Sequence, residues 1–332
     1  MIGFALFGAG RIGKMHADYI AAHPQAELLY VYDNYQPAAS STAEKHGAIA
    51  AESIEQVLND DRVQAVLIAT STDTHVGLLI AAAKAGKAIL CEKPIDLDTQ
   101  IVERCWDQIK DYGVPIQIGF NRRFDSGHSA LREAVAAGEL GSLEQLIITS
   151  RDPGLAPLDY LKVSGGLFRD MAIHDFDIAR FILGEEPVEI QVMGSALVDP
   201  QVAEIGDVDS AMIIMKTASG KLIHINCSRR SAYGYDQRIE AFGSDGMLLS
   251  DNPRPNGLTR YSAQSTGQQE PLFDFFIDRY QQAYALQLNG FVEALQQGRP
   301  VTPSFEDGLR AQRLADAAQQ ALETGEAVTL DV

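Results

Sequence analysis

The sequence predicts an α/β fold: a doubly wound parallel sheet in the first part of the chain, then an α+β domain with a large, mostly antiparallel open sheet. Three observations predict it. Over the first 120 residues, short β-branched runs alternate with helical stretches, the pattern of right-handed βαβ units. The string Gly8-Ala9-Gly10-Arg11-Ile12-Gly13 falls between the first strand and the first helix. Beyond Pro187 the alternation stops, and strands succeed one another through turns such as Ala218-Ser219-Gly220.

Taken in order, Ile2–Phe7 reads as a buried first strand. Further strands are expected at Glu27–Asp33, Ala65–Ala69, Ala88–Glu92 and Pro115–Ile118. The helices between them are Arg11–Ala22, Gln36–His46, Ser53–Asn59, Thr74–Ala85 and Asp98–Tyr112. Ser53 and Thr74 are placed to accept a free N–H at their helix starts as N-caps. After Arg123 a helix over Ser126–Ala137 precedes a strand over Leu143–Arg151, and a loop rich in proline and glycine leads to a helix over Leu167–Leu183. Strands follow at Val188–Val198, Val208–Lys216, Lys221–Ser228, Gln237–Phe242 and Met247–Leu249, then helices at Asp278–Gln297 and Phe305–Glu323. The domain boundary is expected near residue 120. Residues 1–120 would bind a dinucleotide; residues 121–332 would bind substrate and self-associate, with the C-terminal helix packing back on the first domain.

Composition narrows the function. There are 27 basic and 45 acidic residues, a formal charge of −18, which should repel nucleic acid and anionic lipid. No apolar run approaches the roughly 20 residues that span a bilayer. Met1–Gly8 has no basic leader or small-residue cleavage pattern. Cys91, Cys105 and Cys227 form no CxxC pair, and are read as reduced thiols of a cytoplasmic protein.

Glycine suits the Gly8–Gly13 turn because the chain must bend tightly and let backbone approach a pyrophosphate, which the helix N-terminus then attracts. A tight strand–helix turn alone would use the same residues. Asp33 ends the second strand twenty residues beyond Gly13. There a carboxylate accepts both adenosine ribose hydroxyls and repels a 2′-phosphate, so the expected cofactor is NAD rather than NADP. Its plainer reading is a turn or helix cap. Ligands in such sheets sit beyond the strand carboxyl ends, so Thr70, Ser71, Thr72 and His75 after the 65–69 strand, and Glu92 and Lys93 after the 88–92 strand, join Gly8, Gly10, Arg11, Ile12, Gly13 and Asp33 as cofactor candidates. His75 reads equally as a packing residue at the helix start.

Two segments carry candidate chemistry. In Cys91-Glu92-Lys93-Pro94 the lysine is directed toward the expected nicotinamide, or is simply a surface charge. In Gly165–Asp177, Asp170 and His174 lie four apart and Asp177 three further on, which shares one helix face. Such a histidine is a base or a satisfied core group. A single histidine with oxygen ligands on one helix is a poor zinc set, so no metal is expected.

The sequence resembles the glucose–fructose oxidoreductase / inositol dehydrogenase / rhizopine-catabolism family. The matching segments are Gly8–Gly13, Glu92-Lys93-Pro94, Gly119-Phe120-Asn121-Arg122-Arg123-Phe124-Asp125, Ser150-Arg151-Asp152-Pro153, Gly165–Asp177 and Tyr233-Gly234-Tyr235-Asp236-Gln237-Arg238. The first two specify the superfamily; the helix motif and the Tyr-Gly-Tyr stretch point to its inositol dehydrogenases. Asn121 and Ala172 depart from common family residues, which bears on substrate preference.

The resemblance implies NAD-dependent oxidation of myo-inositol to 2-keto-myo-inositol and a homotetramer. It implies a catalytic trio of Lys93, Asp170 and His174. His174 would be the general base, Lys93 would stabilise the reacting oxygen, and Asp170 would orient Lys93 or the substrate. A polyol needs convergent polar groups, so the substrate candidates are Arg123, Asp152, Asp177, Tyr233 and Tyr235 beside the trio. Arg122 and Arg123 read also as ion pairs. Tyr233 and Tyr235 share a strand face if that segment is extended. Tyr280 and Tyr284, four apart on an expected helix, are more distant candidates. Scyllo-inositol or a pyranose as substrate, a non-catalytic NAD sensor, and redox-neutral glycoside cleavage remain alternatives.

Overall fold

A computed structural model describes residues 1–330. The described chain divides into two compact units, residues 1–121 with 282–312, and residues 122–281 with 313–330.

In the first unit the parallel strands are β1 (Ile2–Phe7), β2 (Ala26–Tyr32), β3 (Ile49–Ala50), β4 (Ala65–Ile68), β5 (Ala88–Cys91) and β6 (Ile116–Ile118), in the order β3-β2-β1-β4-β5-β6. The connecting helices are α1 (Arg11–Ala22), α2 (Gln36–His46), α3 (Ile54–Leu58), α4 (Thr72–Lys84) and α5 (Thr99–Ile109). The order reverses between β1 and β4, the point where such sheets leave a ligand crevice. β1 is wholly apolar after Ile2 because it is central and covered on both faces. Phe4 and Leu6 pack with Leu288, Phe291 and Val292 from the late part of the chain. The two-residue β3 was not expected; it is too short for a periodicity signal. Ser53 caps α3 by accepting the Gln56 N–H at 3.1 Å. Thr74 does not cap α4: the helix starts two residues earlier, after Ser71, and Thr74 Oγ1 instead donates to the Ser71 carbonyl at 2.7 Å.

The second unit starts with a 3₁₀ turn over Asn121–Phe124 and α6 (Ser126–Ala136), capped by Asp125, which accepts the N–H groups of Gly127 and His128. Its strands are β7 (Leu143–Arg151), β8 (Pro187–Ser195), β9 (Ser210–Thr217), β10 (Leu222–Ser228), β11 (Asp236–Gly243) and β12 (Gly246–Ser250). A small hairpin of β13 (Thr259–Arg260) and β14 (Gln268–Gln269) stands apart, and β15 (Val328–Thr329) adds to the edge. The seven-stranded sheet runs β12-β11-β7-β10-β9-β8-β15, antiparallel except for β7 with β10. The helices that follow α6 along the chain are α7 (Leu158–Leu161), α8 (Ile173–Leu183), α9 (Gln201–Glu204), α10 (Phe276–Arg279), α11 (Gln281–Gln297) and α12 (Phe305–Thr324), of which α11 beyond its first residue and the start of α12 belong to the first unit. One sheet face carries Ile190, Ile213, Ile223, Ile225 and Ile239 onto Phe176 and Ile178 of α8. The opposite face is exposed.

Two expected helices are more complex than their spans suggested. Leu167–Leu183 begins with a π turn over Phe168–Ala172 before α8. Asp278–Gln297 is interrupted at Tyr280, which separates α10 from α11.

Candidate active site

The turn from β1 into α1 is closed by two glycines. Gly8 has φ +97°, a conformation that L side chains rarely adopt, and a Cβ there would stand 2.4 Å from the Ala69 carbonyl oxygen. A Cβ on Gly13 would stand 1.9 Å from the Gly8 carbonyl oxygen. Gly10 behaves differently: a Cβ there meets nothing within 4 Å. Gly10 is the N-cap of α1, and no side chain caps that helix. A 12-residue helix thus turns uncapped N–H groups toward open space, a cradle suited to an anion. Arg11 is exposed and Ile12 half-buried at its mouth.

Asp33 follows β2 directly. Its Oδ2 accepts the Ala9 N–H at 2.7 Å and its Oδ1 accepts the Tyr35 N–H at 2.8 Å, which fixes the carboxylate beside the glycine turn. Beyond β4, Thr70 and Thr74 share a 2.6 Å hydroxyl hydrogen bond, Ser71 is exposed and Thr72 half-buried. His75 is buried and faces backbone, with Nδ1 2.9 Å from the Pro94 carbonyl oxygen and Nε2 3.2 Å from that of Thr70. Burial holds its pKa below the usual histidine value. Glu92 is engaged by buried His16, Nε2 to Oε1 at 2.8 Å, and Lys93 beside it is half-buried. The glycine turn, the uncapped helix and Asp33 together fit a dinucleotide: phosphates on the α1 N–H groups, a ribose on Asp33.

In the second unit, Asp170 lies inside the π turn and His174 is the second residue of α8. A π turn inserts an extra residue per hydrogen-bonded ring, so the four-residue spacing no longer fixes a shared α-helical face. From Met171 to Arg180 every residue is buried except His174, which is half-buried. Asp170 is held at both oxygens: the Tyr160 hydroxyl donates to Oδ1 at 2.8 Å and Arg229 Nη1 donates to Oδ2 at 3.1 Å. Burial and the neighbouring Asp170 raise the Tyr160 pKa, so its hydroxyl stays a donor. Arg229 is 2% exposed and keeps its charge against burial through Asp170, Asp152 and Asp207. Asp207 in turn accepts the Leu167 N–H at 3.0 Å and fixes the start of the π turn.

Asp152 follows β7. Burial pushes its carboxyl up to about 6, opposed by Arg229 and reinforced by Asp170. Arg123 and Asp177, both expected at the substrate, are turned to each other in a buried fork, with Nε to Oδ2 at 2.8 Å. Arg122 pairs through Nη1 with Oδ1 of fully buried Asp175. Tyr233 and Tyr235 do not share a strand face, because β11 begins only at Asp236 and Gly234 takes φ +113° between them. Tyr233 is half exposed and donates to Asp236 at 2.7 Å, whereas Tyr235 is buried edge-on against Tyr280. Tyr284 is buried against His16.

Sequence reasoning missed Tyr160, Arg229 and His16. Tyr160 and Arg229 lie 10 and 59 residues from Asp170, and no local pattern marks such partners. For His16 a signal existed: a histidine on the inward face of α1, three residues beyond Gly13.

Comparison with known proteins places these features in one family. Residues 2–120 match the model for an oxidoreductase family with an NAD-binding Rossmann fold, and residues 128–249 match the GFO/IDH/MocA C-terminal domain. The chain is 46% identical over 315 residues, 95% of each chain, to inositol 2-dehydrogenase of Rhizobium meliloti (strain 1021). It superposes on a myo-inositol dehydrogenase from Corynebacterium glutamicum with a TM-score of 0.96 and 44% identity, covering 100% of this chain and 99% of the other. A more distant match is scyllo-inositol dehydrogenase from Lactobacillus casei with bound NAD(H) and scyllo-inositol, at 27% identity, TM-score 0.91 and 99% of both chains. Glycine turn, strand order, second-domain sheet and these matches agree, and the chain belongs to the GFO/IDH/MocA oxidoreductase family.

Proposed function

We propose that this chain oxidises myo-inositol to 2-keto-myo-inositol with NAD as hydride acceptor. One observation carries the reading. In a helix otherwise buried from Met171 to Arg180, His174 alone is left half-open, four residues beyond an Asp170 whose two oxygens are held by Tyr160 and Arg229. Close similarity to an inositol 2-dehydrogenase supports the substrate class.

The bound nicotinamide supplies the acceptor for the hydride. His174 takes the proton from the substrate hydroxyl; imidazole is suited to this near neutral pH. Lys93 is assigned the role of stabilising the developing negative charge on the reacting oxygen. Asp170, fixed by Tyr160 and Arg229, orients the substrate and offsets the positive charge that His174 acquires on taking the proton. Asp152, Tyr233 and Tyr235 contribute to recognition of the remaining hydroxyls, and the Arg123–Asp177 pair supports this region from the interior. His174→Ala and Lys93→Ala should each lower kcat by about 10²–10⁴ with NAD binding retained. A panel of myo-inositol, scyllo-inositol and glucose, followed by NADH absorbance, tests the substrate. Preference for scyllo-inositol would replace the myo assignment, and wild-type turnover in both variants would remove the mechanism.

Asp33 is the basis for preferring NAD over NADP: its carboxylate is fixed where a ribose would lie and would repel a 2′-phosphate. Asp33→Ser should narrow the NAD/NADP ratio in kcat/KM, and an unchanged ratio would count against the role. A cytoplasmic homotetramer completes the reading. The outward face of the seven-stranded sheet presents Met193, Met212, Ile214, Leu222 and Phe242, each more than 40% exposed, and an apolar sheet face of this kind is expected to meet another copy. Light scattering that gives a monomer at micromolar concentration would exclude it. Among the described residues no helix is long and apolar enough to cross a membrane.

A further inference from the structure

Lys93 sits between two residues that buried histidines hold from different helices. On one side is Glu92. His16 of α1 is 1% exposed, its Nε2 lies 2.8 Å from Glu92 Oε1, and a carboxylate can only accept, so the ring donates. Gly119 leaves room for the other oxygen, since a Cβ there would stand 2.7 Å from Glu92 Oε2. The Glu92 N–H donates to the Ile68 carbonyl at 2.9 Å. On the other side is Pro94, whose carbonyl oxygen lies 2.9 Å from Nδ1 of His75, a residue also 1% exposed. The second ring nitrogen of His75 lies 3.2 Å from the Thr70 carbonyl oxygen; a neutral imidazole carries a single N–H, and the shorter contact assigns it to Pro94. Burying an imidazole costs desolvation that an aliphatic side chain of similar size avoids, so its contribution here is the hydrogen bond it donates. Both bonds fall within one residue of Lys93, whose own side chain is half-buried.

We propose that His16 and His75 are positioning residues for Lys93: by fixing Glu92 and the Pro94 carbonyl they hold the lysine backbone in place, so that its ammonium arrives at a defined point. The proposal rests on the catalytic role given to Lys93 above. It is distinct from cofactor contact by His75, because both ring nitrogens face backbone carbonyls.

Two measurements on the full-length protein test it. The first is kinetic. His75→Leu should lower kcat about 10–100-fold, the scale expected for a catalytic group displaced by an ångström, and leave the KM for the polyol and the Kd for NAD within about twofold. His75→Gln, which keeps a donor, should recover part of that loss. In a Lys93→Ala background His75→Leu should cost nothing further, because its effect passes through the lysine. Losses that multiply in the double variant would overturn the proposal. The second needs no turnover: acetic anhydride labelling read by mass spectrometry. In His75→Leu the rate at Lys93 should rise at least about threefold relative to Lys14 as local order is lost, on the footing that labelling follows local opening. An unchanged Lys93 rate in a folded His75→Leu protein would overturn it. Should His75→Leu not fold, His16→Leu takes its place in both measurements with the same expectations. A wild-type protein inactive on every polyol would defeat the functional reading, and the labelling result would still decide this one.

Discussion

Gly13 and Gly10 lie three residues apart, and the structure gives them opposite sensitivities. An alanine at 13 would set its Cβ 1.9 Å from the Gly8 carbonyl oxygen, against 3.4 Å or more for ordinary contact. The obstruction is backbone on both sides, so α1 and the turn must part by more than an ångström. Two effects compete. Replacing a helical glycine by alanine gains about 1 kcal/mol of propensity. Overpacking a rigid site costs about 1–3 kcal/mol, and an obstruction made of backbone belongs at or above the top of that range. The clash wins by about 2 kcal/mol, and at about 2–4 °C per kcal/mol the Tm of Gly13→Ala should fall by about 4–8 °C. Gly10 has φ −72°, which alanine tolerates, and its Cβ would meet nothing within 4 Å. Gly10→Ala should therefore keep Tm within about 4 °C, since an N-cap glycine-to-alanine change costs about 1 kcal/mol or less. It should still raise the Kd for NAD at least about tenfold, by placing a methyl group where backbone must approach the phosphates. Scanning fluorimetry gives Tm, and titration against the fluorescence of the single tryptophan, Trp106, gives Kd. A Gly13→Ala protein as stable as wild type would refute the packing argument, and undiminished NAD binding by Gly10→Ala would refute the placement of the cradle.

Two further expectations concern the second unit. Arg123→Met leaves the buried Asp177 carboxylate without its fork, with Arg180 at 3.7 Å, and should cost about 3 kcal/mol in denaturant unfolding. Arg123→Met/Asp177→Leu should cost less than the two single changes together, and strict additivity would show that the pair is not coupled. For Asp152, burial raises the folded carboxyl to about 6, above its unfolded value, so between pH 4 and 6 the native protein binds a proton that the unfolded chain has lost. Its contribution is fully present at the acid end and is lost as pH rises through 6. The Tm of Asp152→Asn minus that of wild type should therefore increase from pH 5 to pH 7.5, and a difference independent of pH would exclude the raised carboxyl.

Much of the fold was legible because it is written locally. β1 is apolar at every position from Gly3 onward as a central parallel strand must be, and the Gly8–Gly13 turn is dictated by contacts with Ala69 and with Gly8 itself that only glycine admits. The alternating burial of β9, with Ala211, Ile213 and Met215 inward and Met212 and Ile214 outward, follows from a period of two that the sequence carries openly. β3 and β15 carried too few residues to show a period, and the expected helix is interrupted at Tyr280, which is buried edge-on against Tyr235, a contact that no spacing reveals.

The candidate site divides along the same line. Residue type and spacing determined that Asp33 stands at the end of the second strand beside the glycine turn, just past β2, that Lys93 follows β5, and that Asp170 and His174 lie where a helix opens. Which charges meet was decided only in three dimensions. Arg123 and Asp177, 54 residues apart, pair with each other, the partner that the ion-pair reading of Arg123 left unnamed, because an unpaired charge at that depth would be far more costly than a paired one. Asp170 acquires Tyr160 and Arg229, and Lys93 acquires two histidine-held neighbours, from elements that approach only when the sheets form. Local backbone preference and hydrophobic period act over a few residues and can be read along the chain; desolvation compels buried polar groups to find partners wherever the fold brings them, and that choice belongs to the tertiary structure.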